Sequence, residues 1–232
     1  MIIKVCGMRE AQNIHDVAKL GIDWLGLVFI PSSERFVRQV SSRAGIIPDY
    51  GSMDSARGKQ ETNEALKSDK RVQVCGIFKD DMPQNIVTRV VNFNLDIVQL
   101  NGSESPVMID NLRRTLDPDI HPGIKIMKKL AVSSSADILK YKEFEGVADY
   151  FLFDVHASVT AGAEQRTDWK LLDSYDGATP FLIGGDITLD DMALLKTFHH
   201  PRFLGVNLNE QVEDAPALKN IERLEAYINK VR

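Results

Sequence analysis

The chain has 232 residues, 44% hydrophobic and 26% charged, with a formal net charge of −5. Such a length buries a full core without staples, and the composition is that of an ordinary globular protein. The acidic balance argues against general nucleic-acid binding, and no apolar run reaches the roughly 18 residues of a membrane helix.

Two cysteines, Cys6 and Cys75, are too few for a disulfide framework and read as free thiols of a reducing compartment. The chain opens as a strand, without the basic-then-apolar layout of a secretion signal, so a cytoplasmic protein is expected.

In chain order, residues 2–7 (IIKVCG) are an apolar, β-branched strand that stops on a thiol and a glycine. Residues 10–20 carry Ala11, Ile14, Val17 and Ala18 at helical spacing, and Gly21 follows as a stop. A second strand, residues 24–29 (WLGLVF), leads into a loop through Arg35. Residues 41–70 hold Gly45, Pro48, Gly51 and Gly58 among many polar residues, and are expected to form a polar loop insertion with a weak helix near 61–67. Its mixed charges read as a solvated surface.

Strands resume at 72–78, 96–100, 123–127, 149–153, 180–183 and 203–206. Between them, Pro83 sits at a helical first turn, Ser105-Pro106 opens a helix towards Leu116, and Ser134 and Ser135 cap another carrying Ile138, Leu139 and Tyr141. A short helix is expected near 168–175, Thr188 caps a helix through Phe198, and Ala217, Leu218, Ile221, Leu224 and Ile228 form an amphipathic last helix. Eight strands each followed by a helix, mostly 21 to 31 residues apart, predict a single α/β domain over residues 1–232. A (β/α)8 TIM barrel is favoured over an open doubly wound sheet, because no Gly-x-Gly-x-x-Gly run follows the first strand.

In such a barrel, the C-terminal strand ends converge on one mouth. Here they are Cys6, Phe29 with the Arg35 loop, Phe78-Lys79-Asp80, Gln99 and Asn101, Met127-Lys128, Asp154 and His156, Gly184-Gly185-Asp186, and Asn207 and Asn209. A thiol on the first strand and a carboxyl on the sixth suit a base and an acid acting on different atoms of one substrate.

Several stretches carry a resemblance. They are Lys4-Val5-Cys6-Gly7-Met8, residues 31–37 (PSSERFV), Val98-Gln99-Leu100-Asn101-Gly102, Phe151-Leu152-Phe153-Asp154, Asp168-Trp169 and residues 205–213 (GVNLNEQVE). Together and in this order they resemble the phosphoribosylanthranilate isomerase family. The resemblance implies a ribulose-phosphate-binding type of barrel and an Amadori rearrangement in tryptophan biosynthesis. N-(5-phosphoribosyl)anthranilate would become 1-(2-carboxyphenylamino)-1-deoxyribulose 5-phosphate, with Asp154 as acid, Cys6 as base and Arg35 on the anthranilate carboxylate. It also implies substrate contacts from Gln99, Asn101, Gly162, Gly184, Gly185, Asn207 and Asn209. No metal or other cofactor is implied. The expected partner is a small-molecule phosphosugar, without nucleic acid or membrane, for a monomer or homodimer.

The family's glycine-rich phosphate loops are altered here. Residues 161–164 read Ala-Gly-Ala-Glu, Gly184-Gly185 is followed by Asp186, and Asn207 and Glu210 replace an Asp and a Ser. Asn101 stands where a His is usual. A carboxylate about 5 Å from one unit of phosphate charge costs about 3 kcal/mol at an effective dielectric of about 20. Glu164, Asp186 and Glu210 therefore either turn outward or weaken phosphate binding. The alternative function is a diverged, non-catalytic or retasked binding barrel, and a third is another sugar-phosphate isomerase.

Plainer readings stand beside these. Cys6 could be a small core residue and Asp154 a helix cap or a partner of Lys125, although strand-end placement favours chemistry for both. Arg35 without the resemblance reads as a solvated loop charge. Cys75 lies inside a strand and reads as core. His156, beside Asp154, could take part in proton transfer but reads more simply as a loop histidine, and His199-His200 suit the end of a helix.

Overall fold

The computed structural model describes residues 1–38, 71–155 and 169–232. The expected insertion at 41–70 and the loop residues His156, Gly162 and Glu164 lie outside the described residues.

Eight parallel strands close into a barrel in chain order. They are β1 (Ile2–Met8), β2 (Trp24–Val28), β3 (Gln73–Phe78), β4 (Ile97–Leu100), β5 (Lys125–Val132), β6 (Tyr150–Val155), β7 (Phe181–Gly185) and β8 (Phe203–Leu208). Closure is made by β8 on β1, in a register from Ile2 opposite Gly205 to Val5 opposite Leu208. The helices are α1 (Ala11–Lys19), α2 (Pro83–Phe93), α3 (Pro106–Leu116), α4 (Ser135–Ile138), α5 (Leu189–Thr197) and α6 (Ile221–Val231). Tight 3-10 turns cover Leu139–Glu143 and Trp169–Ser174.

The pleat divides the core into two shells. Cys6, Val28, Cys75, Ile77, Met127 and Leu152 pack inside the barrel. Alternate residues such as Val5, Leu27, Val74, Leu100, Ile126 and Phe153 pack outward under the helices. Phe29 and Phe78, expected near the mouth, stack on each other in the outer shell at 5.3 Å between ring centres.

The helix starts follow their sequence signals. Ser105 accepts from Met108 N at 3.2 Å ahead of Pro106. Thr188 and Asp191 bond reciprocally at the start of α5. At the lower end of the barrel, Asp23, Asp96 and Asp149 each precede an even-numbered strand. Each accepts a backbone N–H of the preceding strand, from Ile3, Val74 and Ile126, at 2.8 Å.

Three departures from the expected bounds bear on the site. β1 runs past Cys6 to Met8, so the thiol lines the barrel just below its rim. β5 begins at Lys125 and continues to Val132, and its lysines Lys125, Lys128 and Lys129 pair with three different carboxylates, Asp149, Glu104 and Asp154. Strand continuation past Met127 is masked in the sequence by those charges. The last helix starts only at Ile221, where the Asn220 side chain accepts from Arg223 N at 2.8 Å. Ala217, at φ 67°, instead turns a short antiparallel pair, β9 (Glu213–Ala215) with β10 (Leu218–Lys219).

Candidate active site

Cys6 is 7% exposed, and space for it is made by Gly26 on the neighbouring strand. A Cβ at Gly26 would lie 3.1 Å from the Cys6 sulfur. Gly7 follows at φ +76°, and above it lie Arg35 from the loop after β2 and Asn209 from the end of β8.

Arg35 is held by two carboxylates. Its Nε is 3.0 Å from each Glu213 oxygen and its Nη2 2.6 Å from Glu213 Oε2. Its Nη1 is 3.3 Å from Glu210 Oε1. Glu213 also accepts from the fully buried Lys219 at 2.5 Å, and Lys219 reaches Asn209 Oδ1 at 3.0 Å. Hydrogen bonding to Glu213 pushes the Arg35 pKa up against its burial, with Glu210 and Cys6 adding to the effect. Burial pushes Glu213 up, but the bonds from Arg35 and Lys219 outweigh it and hold the carboxyl below its usual range. Burial also lowers Lys219, and there it prevails over Glu213 and Cys6, because this ammonium is wholly buried and the Arg35 cation lies near it.

Asp154 stands across the barrel on β6. Lys129 of β5 makes an ion pair with it, whereas Lys125 reaches Asp149 at 3.5 Å at the other end of the barrel. The Asp154 carboxylate and the Asn207 amide converge above Gly184: both Asp154 Oδ1 and Asn207 Nδ2 are 3.6 Å from where a Cβ there would sit. Asn207 Oδ1 accepts from Lys4 at 2.6 Å, and Lys4 is wholly buried inside the barrel. The thiol side and the carboxyl side are thus linked through β1 and β8.

The other expected residues divide by depth. Gln99 is 2% exposed and donates to Asn101 Oδ1 at 2.8 Å, so it supports Asn101 from beneath. The Met127-Lys128 strand end is corrected: Met127 lies inside the barrel, and Lys128 faces away from the mouth, bonded to Glu104 at 2.8 Å. Lys79-Asp80 is also a structural feature, since Asp80 binds Ser103 N and Oγ at 2.6 and 2.8 Å. Gly185 needs to be glycine, because a Cβ there would fall 2.1 Å from Val155 O. Asp186 accepts weakly from Gln211 at 3.3 Å, and Glu210 turns to Arg35. Among the described residues, no group of three or more His, Cys, Asp or Glu is placed to hold a metal ion.

A family model for N-(5'phosphoribosyl)anthranilate (PRA) isomerase matches residues 48–230. A protein named N-(5'-phosphoribosyl)anthranilate isomerase from Parabacteroides distasonis is 35% identical over 231 residues, spanning 100% of this chain and 93% of that relative. The chain belongs to this family. A relative of the same name from Phocaeicola vulgatus is 32% identical across 100% of this chain and 98% of its own. The PRA isomerase fold is shared as well. The phosphoribosyl anthranilate isomerase of Thermus thermophilus superimposes with a TM-score of 0.71 at 19% identity, covering 100% of this chain and 98% of that one. Another, solved in complex with reduced 1-(o-carboxyphenylamino)-1-deoxyribulose 5-phosphate, gives 0.69 at 20% identity over 100% of this chain and 98% of that one.

Within this PRA isomerase barrel, four charged residues at the site escaped the sequence reading: Lys4, Lys129, Glu213 and Lys219. Glu213 closes the stretch 205–213 that carried the resemblance, yet its partner Lys219 is set only by the hairpin of β9 and β10. Lys129 was hidden because the expected fifth strand ended two residues before it.

Proposed function

We propose that this PRA isomerase family member converts N-(5-phosphoribosyl)anthranilate to 1-(2-carboxyphenylamino)-1-deoxyribulose 5-phosphate in tryptophan biosynthesis. The carrying observation is full-length family membership at 35% identity. The site geometry supports the assignment of roles, with a thiol on β1 and a carboxyl on β6 facing one barrel mouth.

Every step of the rearrangement moves a proton, which acid and base side chains can do. Asp154 protonates the furanose ring oxygen, and the C1–O bond opens to a Schiff base. Cys6, as thiolate, takes the proton from C2, giving an enolamine. The enol hydroxyl then loses its proton as C1 gains one, and the ketone forms. Arg35 receives the anthranilate carboxylate through its Nη1 edge, because Glu213 occupies the Nε edge from below and Glu210 is 65% exposed and displaceable. Asn101, Asn207, Asn209, Gly184 and Gly185 line the sugar-phosphate path, and the family resemblance assigns Gly162 the same role.

A retasked binding barrel is disfavoured by the same full-length similarity. Two of its three motivating carboxylates are also engaged locally, Glu210 by Arg35 and Asp186 by Gln211. The chain works as a monomer or homodimer, since one copy supplies all the residues named, and its free thiols suit the cytoplasm. The test is loss of anthranilate fluorescence from freshly generated substrate. Turnover is expected, falling by about 10²- to 10⁴-fold in Cys6→Ala and in Asp154→Asn. A folded wild-type chain without turnover overturns the reading, and full activity in either variant overturns that residue's role.

A further inference from the structure

The acid role of Asp154 leaves one requirement unmet. A proton donor must hold a proton when the ring opens, yet a carboxyl beside an ammonium is ordinarily ionised near neutral pH. Lys129 is that ammonium. It sits in register with Leu152, one layer below Asp154, and its side chain runs up the inner wall to the carboxylate. The two side chains are only 29% and 13% exposed, so water competes weakly for their shared proton.

Among the described residues, two more flank Asp154. From β7 comes Gly184, which has no side chain, and from β8 the uncharged amide of Asn207. Behind Asn207, the β1 ammonium of Lys4 is bonded to the amide oxygen.

We propose that Lys129 is the proton reservoir of the acid, so that the Lys129–Asp154 pair, and not Asp154 alone, donates to the ring oxygen. This rests on the isomerase reading above. The pair holds one proton more than a carboxylate and an amine. That proton passes from Nζ to the Asp154 carboxyl and from there to the ring oxygen as the C1–O bond breaks, leaving carboxylate and neutral amine. The enol O–H proton released when the ketone forms recharges the pair. Lys129 acts through Asp154 and is a positioning and proton-supplying residue.

An ammonium in general holds a proton over a wider pH range than a carboxyl does. The experiment is kcat and kcat/KM against pH for wild type, Lys129→Met and Lys129→Arg, with folding checked by circular dichroism. Wild type is expected to show no alkaline limb from the acid where Lys129→Met shows one. Lys129→Met is expected to lose kcat about tenfold per pH unit above the carboxyl range. Lys129→Arg keeps the charge without a removable proton and is expected to follow Lys129→Met. In Lys129→Ala, methylammonium is expected to restore kcat. Raised KM with an unchanged pH profile, or full activity in Lys129→Arg, overturns the proposal in favour of simple charge. A wild type without turnover overturns the isomerase reading itself.

Discussion

Arg35 and Glu213 meet side-on, Nε lying 3.0 Å from both carboxylate oxygens and Nη2 2.6 Å from one of them. Glu213 is 5% exposed, whereas Glu210, on the opposite edge of the same guanidinium, is 65% exposed. One carboxylate fixes the arginine and the other occupies the edge offered to substrate. An exposed pair of this kind contributes about 1 kcal/mol at most, equivalent to about fivefold in binding. Glu210→Gln is therefore expected to lower KM by up to about fivefold without changing kcat. A rise in KM in steady-state assays contradicts the placeholder role.

Glu213 has the opposite consequence. Removing one partner of a buried ion pair costs about 3 to 5 kcal/mol, because the other charges stay buried. Glu213→Gln strands the buried Lys219 and leaves Arg35 with the exposed Glu210, so a loss of that order is expected in urea unfolding at neutral pH. The native Glu213 carboxyl lies below its usual range. Its stabilisation is thus complete above the unfolded value of about 4.3 and fades as pH falls through the native value. Wild type is expected to lose stability more steeply than Glu213→Gln below about pH 4.3. Parallel curves for the two proteins refute the linkage.

The two thiols are expected to react differently. Burial pushes Cys75 up to about 12, and its sulfur lies wholly within the barrel beside Gln99. A thiol reacts as thiolate, so Cys75 is inert at pH values where ordinary cysteines are alkylated. Cys6 lies nearer the mouth, within the electrostatic reach of Arg35 and Lys219. Iodoacetamide at about pH 8 is expected to modify Cys6 alone, with activity lost in step with the label. Peptide mapping that finds Cys75 labelled at a similar rate contradicts this.

The barrel was legible because its cues are local: apolar runs of strand length, Pro83, Pro106 and Thr188 at helix starts, and one such unit after another. Cys6, Arg35 and Asp154 were legible because strand ends converge. The charges between them were not. Lys129 and Lys128 are adjacent and chemically identical, yet one faces the mouth and the other the outer shell. Only the pleat of β5 separates them, and the expected strand stopped too early to apply it. Lys219 reaches the site through a hairpin whose register no periodicity announces. Asp23, Asp96 and Asp149 share a position before even-numbered strands, a repeat visible only once the strands are numbered.

Lys128 and Glu104 form the second buried pair, 3% and 2% exposed at 2.8 Å. Glu104 also accepts from Asp80 N at 2.9 Å and Gly102 N at 3.0 Å, so it ties the loops after β3 and β4 together. Glu104→Leu is expected to cost about 3 to 5 kcal/mol by leaving the ammonium unpaired. Glu104→Leu with Lys128→Met removes both charges and is expected to recover only the part of that loss due to the stranded ammonium, since the Asp80 and Gly102 N–H groups stay unpaired. Additive losses in this cycle, measured by denaturant unfolding, contradict a coupled pair.

Gly7 tests the mouth without replacing any charged residue. It holds φ +76°, a left-handed conformation that costs a non-glycine residue about 1 kcal/mol or more. An added Cβ would also lie 2.5 Å from Asn209 Oδ1 and 2.6 Å from Arg35 Cδ. Both contacts are with side-chain atoms, so the barrel can relieve them by moving Arg35 and Asn209 rather than by unfolding. Displacing Arg35 misplaces the anthranilate carboxylate, and a misplacement of about 1 Å can cost about 10²-fold in rate. Gly7→Ala is therefore expected to lose about two decades of kcat/KM while melting within about 10 °C of wild type. Full activity in this variant contradicts the placement of Arg35 over Gly7. Collapse of the fold instead places the strain in the backbone of β1.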